Sequence, residues 1–123
     1  TNNEIHLSGG WAIMGMMEAL HRGVHACIPS TMEILYNMIY NLFVANKFEE
    51  AKNLFYEMLP TLSFAHQHID ISIKFYKTLR VEEEIFATNF CRSPIKDFDK
   101  FQNDEAESHI NKIFKLQNNL LNN

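Results

Sequence analysis

Two short apolar runs limit most strongly what this chain can fold into. Glu4–Leu7 precedes Ser8-Gly9-Gly10, and Val24–Ile28 lies between Gly23 and Pro29. Gly-Gly marks a turn or a close backbone approach. Between the runs, Trp11–Arg22 is apolar nearly all round and reads as a largely buried helix that Gly23 stops. Val24–Ile28 reads as a buried strand that Pro29 breaks. Strand, helix, strand is one parallel βαβ unit. Two strands cannot complete a parallel sheet, because such sheets need cover and further neighbours.

Everything after Pro29 reads as helix or connection. Ser30-x-x-Glu33 fits a capping box opening a helix to about Asn46. Met32, Leu35, Ile39, Leu42 and Phe43 recur at three- and four-residue steps and so share a face. Asn46-Lys47 turns the chain. Phe48, Ala51, Phe55, Met58, Leu59 and Leu62 repeat the pattern, with Pro60 expected to bend this helix or end its first part. A further helix is expected over Asp70–Arg80, with Asp70–Lys74 as an i,i+4 pair. Val81–Pro94 is less periodic and reads as a loop, its Glu82–Glu84 run solvated. Asn103–Leu121 makes a last amphipathic helix through Ala106, Ile110, Ile113, Phe114 and Leu121, its start helped by Asp104-x-x-Glu107.

The expected fold is therefore mainly α with a small β component: two short parallel strands and about five to six helices. Four Gly and three Pro in 123 residues agree with a helical chain and short connections. The pattern reads as the last βαβα portion of a (β/α)8 barrel over residues 1–46, followed by a C-terminal helical bundle over 47–123, in one compact unit. The sequence opens at Thr1 with neither a Met nor a visible signal peptide, which reads as a segment of a longer protein.

Charge and composition exclude several functions. The net charge is -4 and the eleven Lys and Arg are scattered, so no basic stripe points to nucleic acid. No apolar run approaches the roughly 18 residues of a membrane span. Two distant cysteines, Cys27 and Cys91, make no disulfide framework and suit a reducing, cytoplasmic compartment.

Ser8-Gly9, a helix, "RGVHACIP", "YNMIYNLFVANKFEEAKNLFYEMLP" and "QHIDISIKFYKTL" follow one another in an order that resembles the C-terminal part of the dihydrodipicolinate synthase/N-acetylneuraminate lyase family. The likeness runs from about Ile5 to Pro94. It implies a (β/α)8 barrel whose last two strands lie near Ile5–Gly9 and Val24–Ile28. It also implies an active site at the C-terminal ends of the strands. Members of this family join a lysine to pyruvate or a related 2-keto acid as a Schiff base, then add the enamine to an aldehyde or run the cleavage. Their reactive lysine, tyrosine and paired hydroxyls lie upstream of the matched region. The eight lysines here, at 47, 52, 74, 77, 96, 100, 112 and 115, show neither the family's Gly-x-Lys strand pattern nor the buried setting such a lysine needs. The resemblance carries over two substrate-binding positions, Gly9 and His25, both through the backbone. It implies no catalytic residue in this chain, no metal, no cofactor, a pyruvate-like partner for the whole protein, and a homo-oligomer. Synthases of this family follow Ser-Gly with an acidic pair; here Gly10-Trp11 follows, which favours the other aldolases and lyases.

Other residues invite chemistry. His25 and Cys27 are two apart and share a strand face, as a thiolate–imidazole pair would. No third orienting residue is apparent, so a small buried Cys is the preferred reading. His66-x-His68-x-Asp70 could serve a metal on extended chain, but residues two apart diverge on a helix, and a helix junction or subunit interface is preferred. The six methionines read as core filler. The segment is expected to be inactive alone and, with Trp11–Met17 and both strand edges exposed, to self-associate or to dock its strands differently from the full barrel. The competing class is a pentatricopeptide- or tetratricopeptide-like helical scaffold, which residues 36–60 resemble. A repeat should return after about 34 residues, and "DISIKFYKTLRVEEEIF" does not repeat it.

Overall fold

The computed structural model describes residues 4–10 and 14–122. Among these it holds two short parallel strands and five helices: β1 (Ser8–Gly9), α1 (Met16–His21), β2 (Ala26–Cys27), α2 (Glu33–Val44), α3 (Phe48–Ala65), α4 (Ile69–Glu82) and α5 (Lys100–Leu121). The chain divides into two compact units, Thr1–Leu59 and Pro60–Asn123.

In the first unit β1 and β2 pair in parallel, Ser8 opposite Ala26 and Gly9 opposite Cys27. The connecting helix is shorter than the sequence predicts, starting at Met16; Trp11–Ile13 lie outside the described residues. It buries only Met16 and Leu20, one face rather than all round. Val24–Ile28 is not a buried strand. Val24–Cys27 are half-buried and Ile28 is 65% exposed, because β2 has a single described strand neighbour.

Three helices stop in the same way. A residue at positive φ follows the helix, and the next N–H reaches back to a carbonyl in the last turn. Gly23 (φ 83) does this after α1, Asn46 (φ 61) after α2 and Glu84 (φ 58) after α4. The closing bonds are Val24 N–H to Ala19 O at 3.0 Å, Lys47 N–H to Leu42 O at 2.9 Å and Ile85 N–H to Arg80 O at 2.9 Å. They satisfy carbonyls the helix would otherwise leave open.

The expected capping box at Ser30 is replaced. Helix α2 starts at Glu33, behind Met32 at φ 61, with no side-chain cap. A left-handed Met costs about 1–2 kcal/mol. Its 1% exposed side chain offsets that, since full burial of a Met contributes about 1.5–3 kcal/mol. Leu35 and Ile39 continue the buried face at 0%. Rings of His21, Phe43 and Phe48 meet at 4.8–5.3 Å and tie α1, α2 and the start of α3 together.

Pro60 does not end α3, which runs unbroken through it. The missing N–H leaves the Tyr56 carbonyl without its helical donor, at a residue that is 52% exposed and so open to water. Met58, Thr61 and Leu62 are fully buried around it and offset the cost.

In the second unit Phe64 is the hub. Its ring meets Phe75 at 5.4 Å, Phe98 at 6.1 Å and His109 at 5.0 Å. Helix α4 starts at Ile69 behind His68, whose Nδ1 accepts the Asp70 N–H. Helix α5 starts three residues before the expected Asn103. Asp99 and Gln102 form a reciprocal capping box, so Asp104 and Glu107 have no part in the start. Ala106, Ile110 and Ile113 are buried as their spacing predicts, whereas Leu121 is 65% exposed.

Candidate functional site

The two positions singled out for substrate binding both lie on the paired strand segments but do not face each other: Gly9 is opposite Cys27, and His25 is beside Leu7. The Ile28 N–H donates to Gly9 O at 3.2 Å, and the His25 N–H donates to Leu7 O at 3.0 Å. The His25 ring folds back on the same ladder. Its Nδ1 accepts the Leu7 N–H at 3.1 Å and the His6 ring stacks on it at 5.0 Å. Nδ1 being an acceptor, the ring proton sits on Nε2.

Beside β2 lies a cavity of about 470 Å³. Its floor is Met16 and Leu20 of α1 and Tyr36 of α2, all under 9% exposed. His25, Ala26 and Cys27 form one wall; Glu33, Asn37 and Tyr40 form the other. Glu33, Tyr36, Asn37 and Tyr40 fall at i, i+3, i+4 and i+7 of α2 and so make one stripe. The sequence carries this stripe, but the apolar pattern through Met32, Leu35 and Ile39 hides it. Gly9 is not among the described lining residues.

Cys27 and His25 both reach this cavity, but not as a nucleophile and its base. Burial pushes the Cys27 thiol up from its ordinary range, away from thiolate. The His25 nitrogen that could take its proton is already bonded to Leu7. His66 and His68 separate as residues on different local structures do. His66 Nδ1 lies 2.8 Å from Leu62 O and its Nε2 lies 3.5 Å from the Tyr76 hydroxyl, while His68 caps α4. Burial pushes the Tyr76 hydroxyl up to about 12, so it stays protonated and donates. Among the described residues no three of His, Cys, Asp and Glu gather as a metal would need.

One lysine departs from the sequence reading, which finds none in a buried setting. Lys74 is 5% exposed. It does not pair with Asp70. Its Nζ meets Asn89 O at 3.2 Å, Asn89 Oδ1 at 3.2 Å and Asp97 Oδ1 at 2.5 Å. Three acceptors match the three donors of an ammonium. A Schiff-base nucleophile needs a lone pair aimed at a substrate, so this lysine is an anchor for the connection between α4 and α5. Asn89 Nδ2 donates to Thr78 Oγ1 and Lys77 Nζ to Phe90 O, extending the clasp along α4. The Glu82–Glu84 run is not wholly solvated either: Glu83 pairs with Arg80 at 2.8 Å, both side chains about 15% exposed.

No protein-family model, curated protein or solved structure matches the chain. No described helix is long and apolar enough to cross a membrane.

Proposed function

We propose that the chain is the C-terminal part of a pyruvate-dependent Schiff-base aldolase or lyase of the dihydrodipicolinate synthase/N-acetylneuraminate lyase type. It would supply two barrel strands, their helices and a helical extension, and would be inactive alone. The observation that carries this reading is the parallel β1–α1–β2 unit, in which Ser8-Gly9 lies opposite Ala26-Cys27. Two half-exposed parallel strands need further strands on their open edges. A preceding set of barrel strands would supply them. Gly9 and His25 would then offer main-chain groups to a 2-keto acid, and the reactive lysine would come from that preceding part. Localisation in the cytoplasm and a homo-oligomeric parent belong to the same proposal.

The test is a borohydride trap on the protein made from the entire reading frame that encodes these residues. With pyruvate present, the adduct should fall on a lysine preceding Thr1 and on none of the eight lysines here. An adduct on one of those eight, or turnover of a 2-keto acid by the isolated 123 residues, refutes the reading.

The α2–α3 hairpin, closed by residues 45–47, favours a helical-repeat scaffold as the second reading. Against it, α4 and α5 are separated by the long connection 83–99 and do not repeat the hairpin.

A further inference from the structure

We infer that the cavity beside β2 binds an uncharged small molecule: an apolar or aromatic body ending in one neutral, amide-like polar group. Its volume, about 470 Å³, falls within the range of small-molecule sites, about 300–1,000 Å³. Its polarity is graded. Met16, Leu20 and Tyr36 make a buried floor, 2%, 6% and 4% exposed. Asn37 and Tyr40 are exposed along the α2 wall. An apolar body seats on the floor while a polar end reaches that wall, which fixes one orientation.

The neutrality of the polar end follows from what the cavity offers. No Lys or Arg is among the described lining residues, so an anion finds no counter-charge. Glu33 is the one acidic side chain there, and it is already engaged within the chain. An ammonium entering the cavity would give up water without gaining a carboxylate of its own. Burial holds Cys27 as the neutral thiol, and the His25 Nδ1 that accepts the Leu7 N–H marks a neutral ring. The polar groups left to meet a ligand are uncharged: the Asn37 amide, the Tyr40 hydroxyl and the His25 Nε2–H. An amide end suits them, its oxygen accepting from one of these donors and its N–H groups donating to the Asn37 oxygen. A 2-keto acid is an anion, so this cavity is not built for one. The inference does not rest on the barrel reading. In a (β/α)8 barrel the helices pack outside the strands and the active site lies at the strand ends, whereas this cavity lies between β2 and helices α1 and α2.

The test titrates the chain with three probes that share a phenylpropyl body: 3-phenylpropanamide, 3-phenylpropylamine and 3-phenylpropionate. Binding is followed by calorimetry or by methyl shifts of Met16 and Leu20. The amide should bind about tenfold tighter than either ion, since an ion gives up hydration there without a partner charge. In a Cys91→Ser background the bound amide should slow labelling of Cys27, which lines the cavity, by a thiol reagent. Asn37→Asp keeps the side-chain shape at an exposed position and adds a carboxylate, so it should move the preference from the amide to the amine. Asn37→Leu, which removes one hydrogen-bonding group, should weaken the amide about fivefold if the charged variant misfolds. Absence of amide binding, an ion bound as tightly as the amide, amide binding that leaves Cys27 labelling unchanged, or a preference unmoved by the Asn37 variants overturns the inference.

Discussion

Replacing Lys74 by Met tests the clasp most directly. The aliphatic stem is kept and the ammonium is lost. The three oxygens it held then differ in fate. Asp97 is 88% exposed and returns to water at little cost. Asn89 is half-buried, and its carbonyl and amide oxygens lose a charged donor. Hydrogen bonds to charged groups contribute about 1.5–3 kcal/mol, and a buried polar group left unpaired costs about 1–3 kcal/mol. Lys74→Met should therefore destabilise the second unit by about 2–3 kcal/mol. Asp97→Asn removes the ion pair but leaves an acceptor at the same distance, and a partner this exposed should cost less than about 1 kcal/mol.

Denaturant midpoints by circular dichroism give the ranking, and a thiol probe gives the location. Cys91 is 8% exposed and its Sγ lies 3.5 Å from Asn89 O, within the clasped segment. In a Cys27→Ser background, Lys74→Met should speed labelling of Cys91 by a thiol reagent, and Asp97→Asn should leave it nearly unchanged. Two results would refute the reasoning. One is an Asp97→Asn cost equal to that of Lys74→Met, which would make the exposed ion pair the main term. The other is a destabilised Lys74→Met whose Cys91 stays protected, which would mean the clasp does not hold the connection.

Glu84 sits at φ 58 on the surface after α4, so Glu84→Gly should raise stability by about 1 kcal/mol, read as a higher denaturation midpoint. Thr31 is 1% exposed and its hydroxyl has no hydrogen-bond partner among the described residues, so Thr31→Val should stabilise by about 1 kcal/mol; a loss in unfolding free energy would show that the hydroxyl is satisfied. His109 lies beside Phe64 with Nδ1 3.2 Å from the fully buried Thr61 hydroxyl. Burial lowers its pKa below the ordinary 6.5, with Glu105 opposing and Lys112 adding to the shift. The unfolded chain then takes up its proton first, so stability should fall as pH drops below about 6.5 and level off under the lowered native value. His109→Gln should flatten that part of a midpoint-against-pH curve.

What could be read from the sequence was what depends on near neighbours along the chain. The face through Leu35 and Ile39, the stop at Gly23 and the turn at Asn46-Lys47 rest on spacings of a few residues, and each is found as expected. The errors fall where two local signals compete. Ser30-x-x-Glu33 and Asp104-x-x-Glu107 satisfy a capping pattern, but Met32 and Asp99–Gln102 are the actual starts. In the first case the burial of Met32 outweighs the strain of its backbone. In the second a better box lies only a few residues upstream. Pro60 does not break α3: the missing donor and the ring clash are local costs, whereas the burial of Met58, Thr61 and Leu62 that offsets them is not legible from near neighbours.

Lys74 shows the same limit for a candidate site. Its i,i+4 neighbour Asp70 offered a partner by spacing alone, yet an exposed helical pair of that kind contributes only about 0.3–0.5 kcal/mol. The oxygens that hold it come from 15 and 23 residues further on. Any arrangement that buries the Lys74 stem on α4 must supply several acceptors to the ammonium at once, because an unpaired buried charge costs more than a surface pair can return. The connection between α4 and α5 is the part of the second unit able to fold over and supply them. A buried lysine on a helix is thus evidence first of a strap that needs tying down. It becomes evidence of a nucleophile only when an acceptor is missing, and at Lys74 none is.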